Sequence, residues 1–248
     1  SRCKEFYTDD GTRKAAEVLR RNKIDALIPI GGDGTFRGAV ALAKSWDGQI
    51  VGCPGTIDND LMGSDYTIGF ATAVHTAVEA VDKLRDTADA HERMFLVEVM
   101  GRHSGYIALY TAIAAAAEIA CIPETPTDIE EIIRRLHALK ARGKTSVMMV
   151  VAEGDERGGA AALQKALCEH GCPFEVRVLA LGHLQRGGSP VPEDRILASR
   201  LGDYAVHAIL QGKSGVMAGE QKGELTLTPL EETFSSHRPV PDTYVALL

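Results

Sequence analysis

The segment Pro54-Gly55-Thr56-Ile57-Asp58-Asn59-Asp60 carries two carboxylates two residues apart. In an extended segment, side chains at i and i+2 point to the same side. One carboxylate could then take a proton from a hydroxyl while the other holds a metal ion. The same residues also suit an Asx-rich turn, a common loop device. A second segment, Gly31-Gly32-Asp33-Gly34-Thr35, separates a short apolar run from a stretch of helical spacing. Its glycines let the backbone approach a phosphate, and the helix N-terminus that follows offers N–H donors and a positive dipole end. Asp33 among phosphate-binding groups points to Mg2+, because a bound cation reverses the repulsion between carboxylate and phosphate. A tight left-handed turn with a capping aspartate is the structural alternative.

Two further segments bring cations. Met100-Gly101-Arg102-His103-Ser104-Gly105 places an arginine in a glycine-flanked turn, and the planar guanidinium suits phosphate better than an ammonium does. Leu181-Gly182-His183-Leu184-Gln185-Arg186-Gly187-Gly188 offers His183 and Arg186 to an anion. Just before it, Phe174, Val176, Val178 and Ala180 would share one strand face, which puts Arg177 on the other with Leu179 and Leu181. An unpaired buried charge is costly, so Arg177 is either paired or reaching a ligand. Cys168-Glu-His170-Gly-Cys172 lacks a second pair of zinc ligands and reads as helix-end thiols. The remaining histidines, His237 among them, read as surface or satisfied helix residues.

These segments need elements to hold them. Short apolar runs alternate with helical spacing, the mark of an α/β fold with a largely parallel sheet. Helices are predicted over 12–22, 36–46, 70–85 and 193–210, and strands over 24–30, 50–53, 94–99, 147–152 and 174–181. A capping box at Thr127-x-x-Glu130 opens a further helix through Leu139. Beyond Gly212 the pattern is weak. Each chemical segment follows a strand, and in open parallel sheets ligands bind at the carboxyl ends of strands.

Bulk properties narrow the classes. The chain has 248 residues, 34 acidic against 27 Lys plus Arg, and a net charge of −7. That balance argues against a nucleic-acid binder, which needs basic charge on one face. The longest apolar stretch, Ile107 to Ala117, is well short of the ~18–20 residues that span a bilayer. With no N-terminal signal and five cysteines, an odd number, the chain reads as a cytoplasmic protein with reduced thiols.

Taken in order, GGDGT at 31–35, PGTIDND at 54–60, MGRHSG at 100–105, AEG at 152–154 and LGHLQRGG at 181–188 resemble the 6-phosphofructokinase family. The resemblance runs through nearly all of the chain. GGDGT alone is shared with NAD kinases and diacylglycerol kinases, and those leave the other segments without an account. The resemblance implies transfer of the γ-phosphate of ATP to the 1-hydroxyl of fructose 6-phosphate, with Mg2+. It implies Asp58 as general base, Thr56 and Ile57 beside the sugar, and Asp33 and Asp60 for Mg2+. Arg93, Met100, Gly101, Arg102, Glu153, Arg177, His183, Leu184, Gln185 and Arg186 would bind the sugar phosphate, Arg93 and Arg177 by reaching into a neighbouring subunit. Arg2, Cys3, Gly32, Asp33, Gly34, Thr35 and Gly38 would hold the nucleotide, with Arg2 and Arg102 stabilising the transferring group.

The resemblance further implies two interleaved three-layer α/β domains. Residues 1–68 with 187–248 would bind nucleotide, and residues 69–186 the sugar phosphate. It implies a homo-oligomer, a tetramer, and matches Arg85, Glu118 and Lys144 to a site for ADP or phosphoenolpyruvate. Pyrophosphate-dependent members carry a bulky or charged residue where this chain has Gly34 and a lysine where it has Gly55, so ATP is the expected donor. Members begin with a strand and glycine-rich turn that this sequence does not include. The alternatives are a pyrophosphate-dependent enzyme and a truncated, non-catalytic sugar-phosphate-binding chain.

Overall fold

The computed structural model of the chain describes Phe6, residues 8–88 and residues 93–247. The chain divides into two compact units: residues 1–69 with 192–238, and residues 70–191 with 239–248.

The first unit opens with α1 (Asp9–Arg21), one turn earlier than its apolar spacing predicts. Thr8 explains the difference: its hydroxyl accepts the Gly11 N–H at 3.1 Å, and Asp9 and Asp10 complement the helix dipole. The expected strand over 24–30 is two short pieces, β1 (Ala26–Leu27) and β2 (Ile30–Gly31). Pro29 lies between them and has no N–H for the ladder, though its carbonyl still accepts the Cys53 N–H. Both pieces pair in parallel with β3 (Gln49–Pro54). The glycine-rich turn leads into α2 (Asp33–Ala43).

Side chains alternate across β3, and that alternation builds two cores. Ile50 packs with Phe36, Leu42, Trp46 and Met217 on one face. Val51 and Cys53 pack with Leu197, Leu201 and Ala205 of the long helix Pro192–Leu210 on the other. Helices on both faces make this a three-layer unit. The weak pattern after Gly212 hides a hairpin, Val216–Gln221 against Glu224–Pro229, the first strand of which pairs in parallel with β3. Its turn residues Lys222 and Gly223 have φ of 51° and 82°, the two left-handed positions that match the twist of a hairpin.

In the second unit, α3 (Phe70–Ala88) leads past four undescribed residues to β4 (Arg93–Val99). Next come α4 (Tyr106–Ala114), β5 (Ile119–Cys121), α5 (Ile129–Ala141), β6 (Val147–Ala152), α6 (Gly159–Glu169) and β7 (Glu175–Ala180). The four strands are parallel in the order β5-β6-β4-β7. Every residue of β6 is buried, as a strand covered on both faces requires. Met94, Leu96, Val147 and Met149 pack under α5 and α6, while α3 and α4 lie against β4 and β6.

The α5 cap is Asp128, whose carboxylate accepts the N–H groups of Glu130 and Glu131. Thr127 instead bonds the buried Asp155. The helix α4 has no polar face to reveal its period, because Tyr106–Leu109 and both Thr111 and Ala112 are all buried. Residues 187–191 and 239–248 were expected in the first unit and belong to the second. The Val191 N–H donates to Thr72 Oγ1, Tyr106 Oη donates to Pro239 O at 2.7 Å, and the Tyr110 and Tyr244 rings meet edge-on at 5.2 Å.

Candidate active site

In the first unit the segment after β3 is a turn, not an extended stretch. Asn59 sits in the left-handed region with φ 52°, so the same-side argument for Asp58 and Asp60 does not hold. Asn59 is fully buried and clasps the turn. Its Nδ2 donates to Asp65 O at 3.3 Å, and its Oδ1 accepts the Thr67 N–H at 2.9 Å. Thr67 Oγ1 donates to Thr56 O at 2.6 Å, closing the loop on its other side. Asp58 is 9% exposed, and its N–H donates to Thr56 Oγ1. Asn59 and Thr67 were not singled out from sequence, where an amide between two aspartates carries no mark of its own.

Asp33 and Asp60 lie about thirty residues apart in sequence and line one cavity of this unit, together with Arg37, Ser235, Ser236 and His237. Asp33 is the first residue of α2. The preceding Gly32 supplies no side-chain cap, so an anion can take that place at the helix N-terminus. Gly34 and Gly38 are half-buried in α2, and Thr35 is exposed. Gly32 also lets the turn come close to Thr56: a β-carbon there would stand 3.4 Å from Thr56 Cβ.

The far wall of the cavity is a segment that sequence reasoning passed over. The Met62 N–H donates to Thr233 O at 3.1 Å, and the Arg238 N–H donates to Asp60 O at 2.9 Å. Arg37 stacks 4.4 Å from the Phe234 ring centroid and lies 3.9 Å from the Asp33 carboxylate. His237, expected on a helical face, is in irregular backbone with Nδ1 at 3.3 Å from Asp60 Oδ2. Two carboxylates on one cavity fit a hard, oxygen-preferring cation. Among the described residues no cluster of three or more His, Cys, Asp or Glu forms a closed cage. Mg2+ asks the protein for one or two carboxylates and takes water and phosphate as its other ligands.

In the second unit the turn after β4 is held from behind. Arg102 has φ 52°, and its exposed side chain leaves a backbone pinned by Glu153, whose Oε1 accepts the N–H groups of Gly101 (3.3 Å) and Arg102 (2.9 Å). Met100 is buried. After β7 the chain forms a short 3-10 helix, Gly182–Arg186. His183, Leu184 and Arg186 are exposed on it, but Gln185 is 1% exposed and points into the unit. The Gln185 side chain therefore faces away from its exposed neighbours His183, Leu184 and Arg186.

Arg177 is paired. It and Arg93 both bond Glu175, Arg93 Nε at 3.0 Å, on the exposed side of β7. The Arg93 guanidinium, with Arg177 behind it, holds the Glu175 carboxyl below the usual carboxylate range. Of the residues matched to an effector site, Lys144 Nζ lies 2.6 Å from Glu118 Oε1, and Glu118 Oε2 accepts the Met148 N–H. Arg85 donates to the carbonyls of Ala115 and Ala116. Arg2 and Cys3 lie outside the described residues.

Parallel α/β units with a glycine-rich strand-to-helix turn, paired aspartates and arginine-bearing turns at strand ends define the class of α/β proteins built to handle phosphates. The chain belongs to the phosphofructokinase family, whose model matches residues 1–209. It is 53% identical over 240 residues to ATP-dependent 6-phosphofructokinase 1 of Thermus thermophilus, covering 97% of this chain and 74% of that protein. It is 45% identical over 247 residues to ATP-dependent 6-phosphofructokinase of Cytophaga hutchinsonii, covering 100% of this chain and 75% of that one. Among solved structures, phosphofructokinase of Pichia pastoris in the T-state superposes with a TM-score of 0.86 at 33% identity, covering 94% of this chain. The chain spans 29% of that protein's length.

Proposed function

We propose that this chain carries the activity of an ATP-dependent 6-phosphofructokinase, transferring the γ-phosphate of ATP to the 1-hydroxyl of fructose 6-phosphate. The observation that carries the reading is the shared cavity of Asp33 and Asp60, with Asp58 on the same clasped turn. Phosphoryl transfer asks for positioning and charge neutralisation more than covalent chemistry. Asp58 accepts the proton of the attacking hydroxyl, and Thr56 and Ile57 flank it. The Gly32–Thr35 turn and Gly38, with Arg2 and Cys3, take the nucleotide. Asp33 and Asp60 would hold Mg2+, which supplies neutralisation of the phosphate charge when bound.

The second unit supplies the sugar-phosphate ligands: the Met100–Arg102 turn, Glu153, His183, Leu184 and Arg186. Arg102 and Arg186 provide guanidinium groups for the phosphate, and Glu153 keeps the turn in shape through its two N–H bonds. In this reading the enzyme works in cytoplasmic glycolysis as a homotetramer, Arg93 and Arg177 serving a neighbouring subunit's sugar. Arg85, Glu118 and Lys144 bind ADP or phosphoenolpyruvate. An unchanged sugar-phosphate saturation curve at saturating ADP and phosphoenolpyruvate removes the effector part.

The deciding experiment measures fructose 1,6-bisphosphate formation by the wild type and Asp58→Asn. Loss of a general base is expected to lower kcat by about 10²–10⁴-fold. A rate in Asp58→Asn close to wild type overturns the base assignment. A kcat/KM higher with pyrophosphate than with ATP overturns the donor.

A further inference from the structure

The 3-10 helix Gly182–Arg186 turns one side chain inward. Gln185 is 1% exposed, although Leu184 beside it is 71% exposed. A buried amide must satisfy both its ends. Gln185 Oε1 accepts the Met100 N–H at 2.8 Å, and its Nε2 donates to Ala73 O of α3 at 3.4 Å.

The first of these bonds falls where the β4–β7 ladder runs out. The two strands stay in parallel register up to Glu98 opposite Ala180, and the Leu181 N–H still donates to Glu98 O at 3.0 Å. The next donor in register is the Met100 N–H. Backbone no longer meets it, because the chain after Leu181 has curled into the 3-10 helix, and the Gln185 side chain supplies the missing acceptor. On the other side of β4, the Glu153 N–H donates to Val99 O, so that flank stays tied to backbone. Gln185 thus ties Met100, two residues before Arg102, to a helix whose next residue is Arg186.

We propose that Gln185 is a positioning residue for sugar-phosphate binding, fixing the Met100–Arg102 turn against the helix that bears His183 and Arg186. This rests on the function proposed above. The working part is the acceptor oxygen, because the Met100 bond is the one that joins the two ligand-bearing segments.

The test titrates fructose 6-phosphate by calorimetry and measures KM for fructose 6-phosphate and for ATP. Gln185→Met keeps the volume and removes the acceptor; Gln185→Glu keeps an acceptor for Met100. Expected are an about tenfold rise in Kd and KM for fructose 6-phosphate in Gln185→Met, KM for ATP within twofold, and sugar-phosphate affinity within threefold of wild type in Gln185→Glu. The inference is overturned by unchanged fructose 6-phosphate affinity in Gln185→Met, or by equal losses toward both substrates. Should Gln185→Met not fold, Gln185→Glu decides alone, and a tenfold loss there sinks it. A wild type that binds no fructose 6-phosphate sinks the functional reading and this inference together, whereas binding that Gln185→Met leaves intact sinks this inference only.

Discussion

A β-carbon added to Gly154 would collide with the carbonyl oxygen of Arg102. The loop after β6 therefore touches the back of the arginine turn, backbone against backbone, and neither side has a flexible end that can yield. Glu153, one residue earlier, bonds the same turn from its side chain. Gly154→Ala is expected to push the turn outward at a cost of at least about 3 kcal/mol. It should raise KM for fructose 6-phosphate more than tenfold and leave KM for ATP unchanged. Steady-state kinetics with thermal unfolding check it; an alanine variant with wild-type KM refutes it.

Gly55 stands where the resemblance sets a lysine in the pyrophosphate-dependent members, and ATP as donor is the reading drawn from it. A β-carbon there would lie 2.8 Å from Ile30 Cγ2 and 3.2 Å from the Gly31 nitrogen. Packing against β2 is thus a reason for glycine whatever the phosphoryl donor. Gly55→Ala should cost about 1–3 kcal/mol by denaturant unfolding. Ile30→Ala, at a position 66% exposed, should recover most of that in the double variant. Strict additivity of the two losses would refute the contact.

His237 leans on Asp60 at 3.3 Å and lines the same cavity as Asp33. Partners that orient a metal-binding carboxylate typically carry 10–100-fold in metal affinity. His237→Ala should therefore weaken Mn2+ binding, read by electron paramagnetic resonance, about tenfold, with the unfolding temperature unchanged. Identical Mn2+ titrations for the two proteins would rule this out.

The buried thiols give a pH dependence. Desolvation pushes Cys53 up to about 11 and Cys121 up to about 12, while Cys168 is exposed. At pH 8 iodoacetamide should modify Cys168 in the native protein and spare Cys53 and Cys121, as peptide mass mapping will read. Stability is expected to hold below pH 9. It should fall as pH rises toward 11–12, where the unfolded thiols ionise and the folded ones do not. Cys121→Val should flatten that decline; an unchanged slope would contradict the assignment.

How much of this was readable from residues alone depends on the range of the forces involved. The strand at 147–152 was legible as a short unbroken apolar run, and the helix from Phe70 because burial of one face imposes a three- and four-residue period. The helix at Tyr106 was not, since a helix whose residues are apolar nearly all round shows no period. The hairpin after Gly212 carried its signal in Lys222-Gly223, where a lysine gives no hint that its φ is positive. His237 and the Phe234 ring gave no sign of reaching the cavity, because their partners Asp60 and Arg37 lie far away in sequence.

The sequence by itself determined the chemistry available: which carboxylates, guanidiniums and glycines stand just after strands, and hence that the protein handles phosphates on an α/β frame. Tertiary structure decided the direction of each side chain. Asn59 turned left-handed and buried its amide, Gln185 turned inward to replace a ladder acceptor, and Arg177 found Glu175. The physical reason is that residue type sets what a group can bond. Which bond it makes is set by desolvation and by partners the fold brings in, as with Met100, 85 residues from Gln185 in sequence.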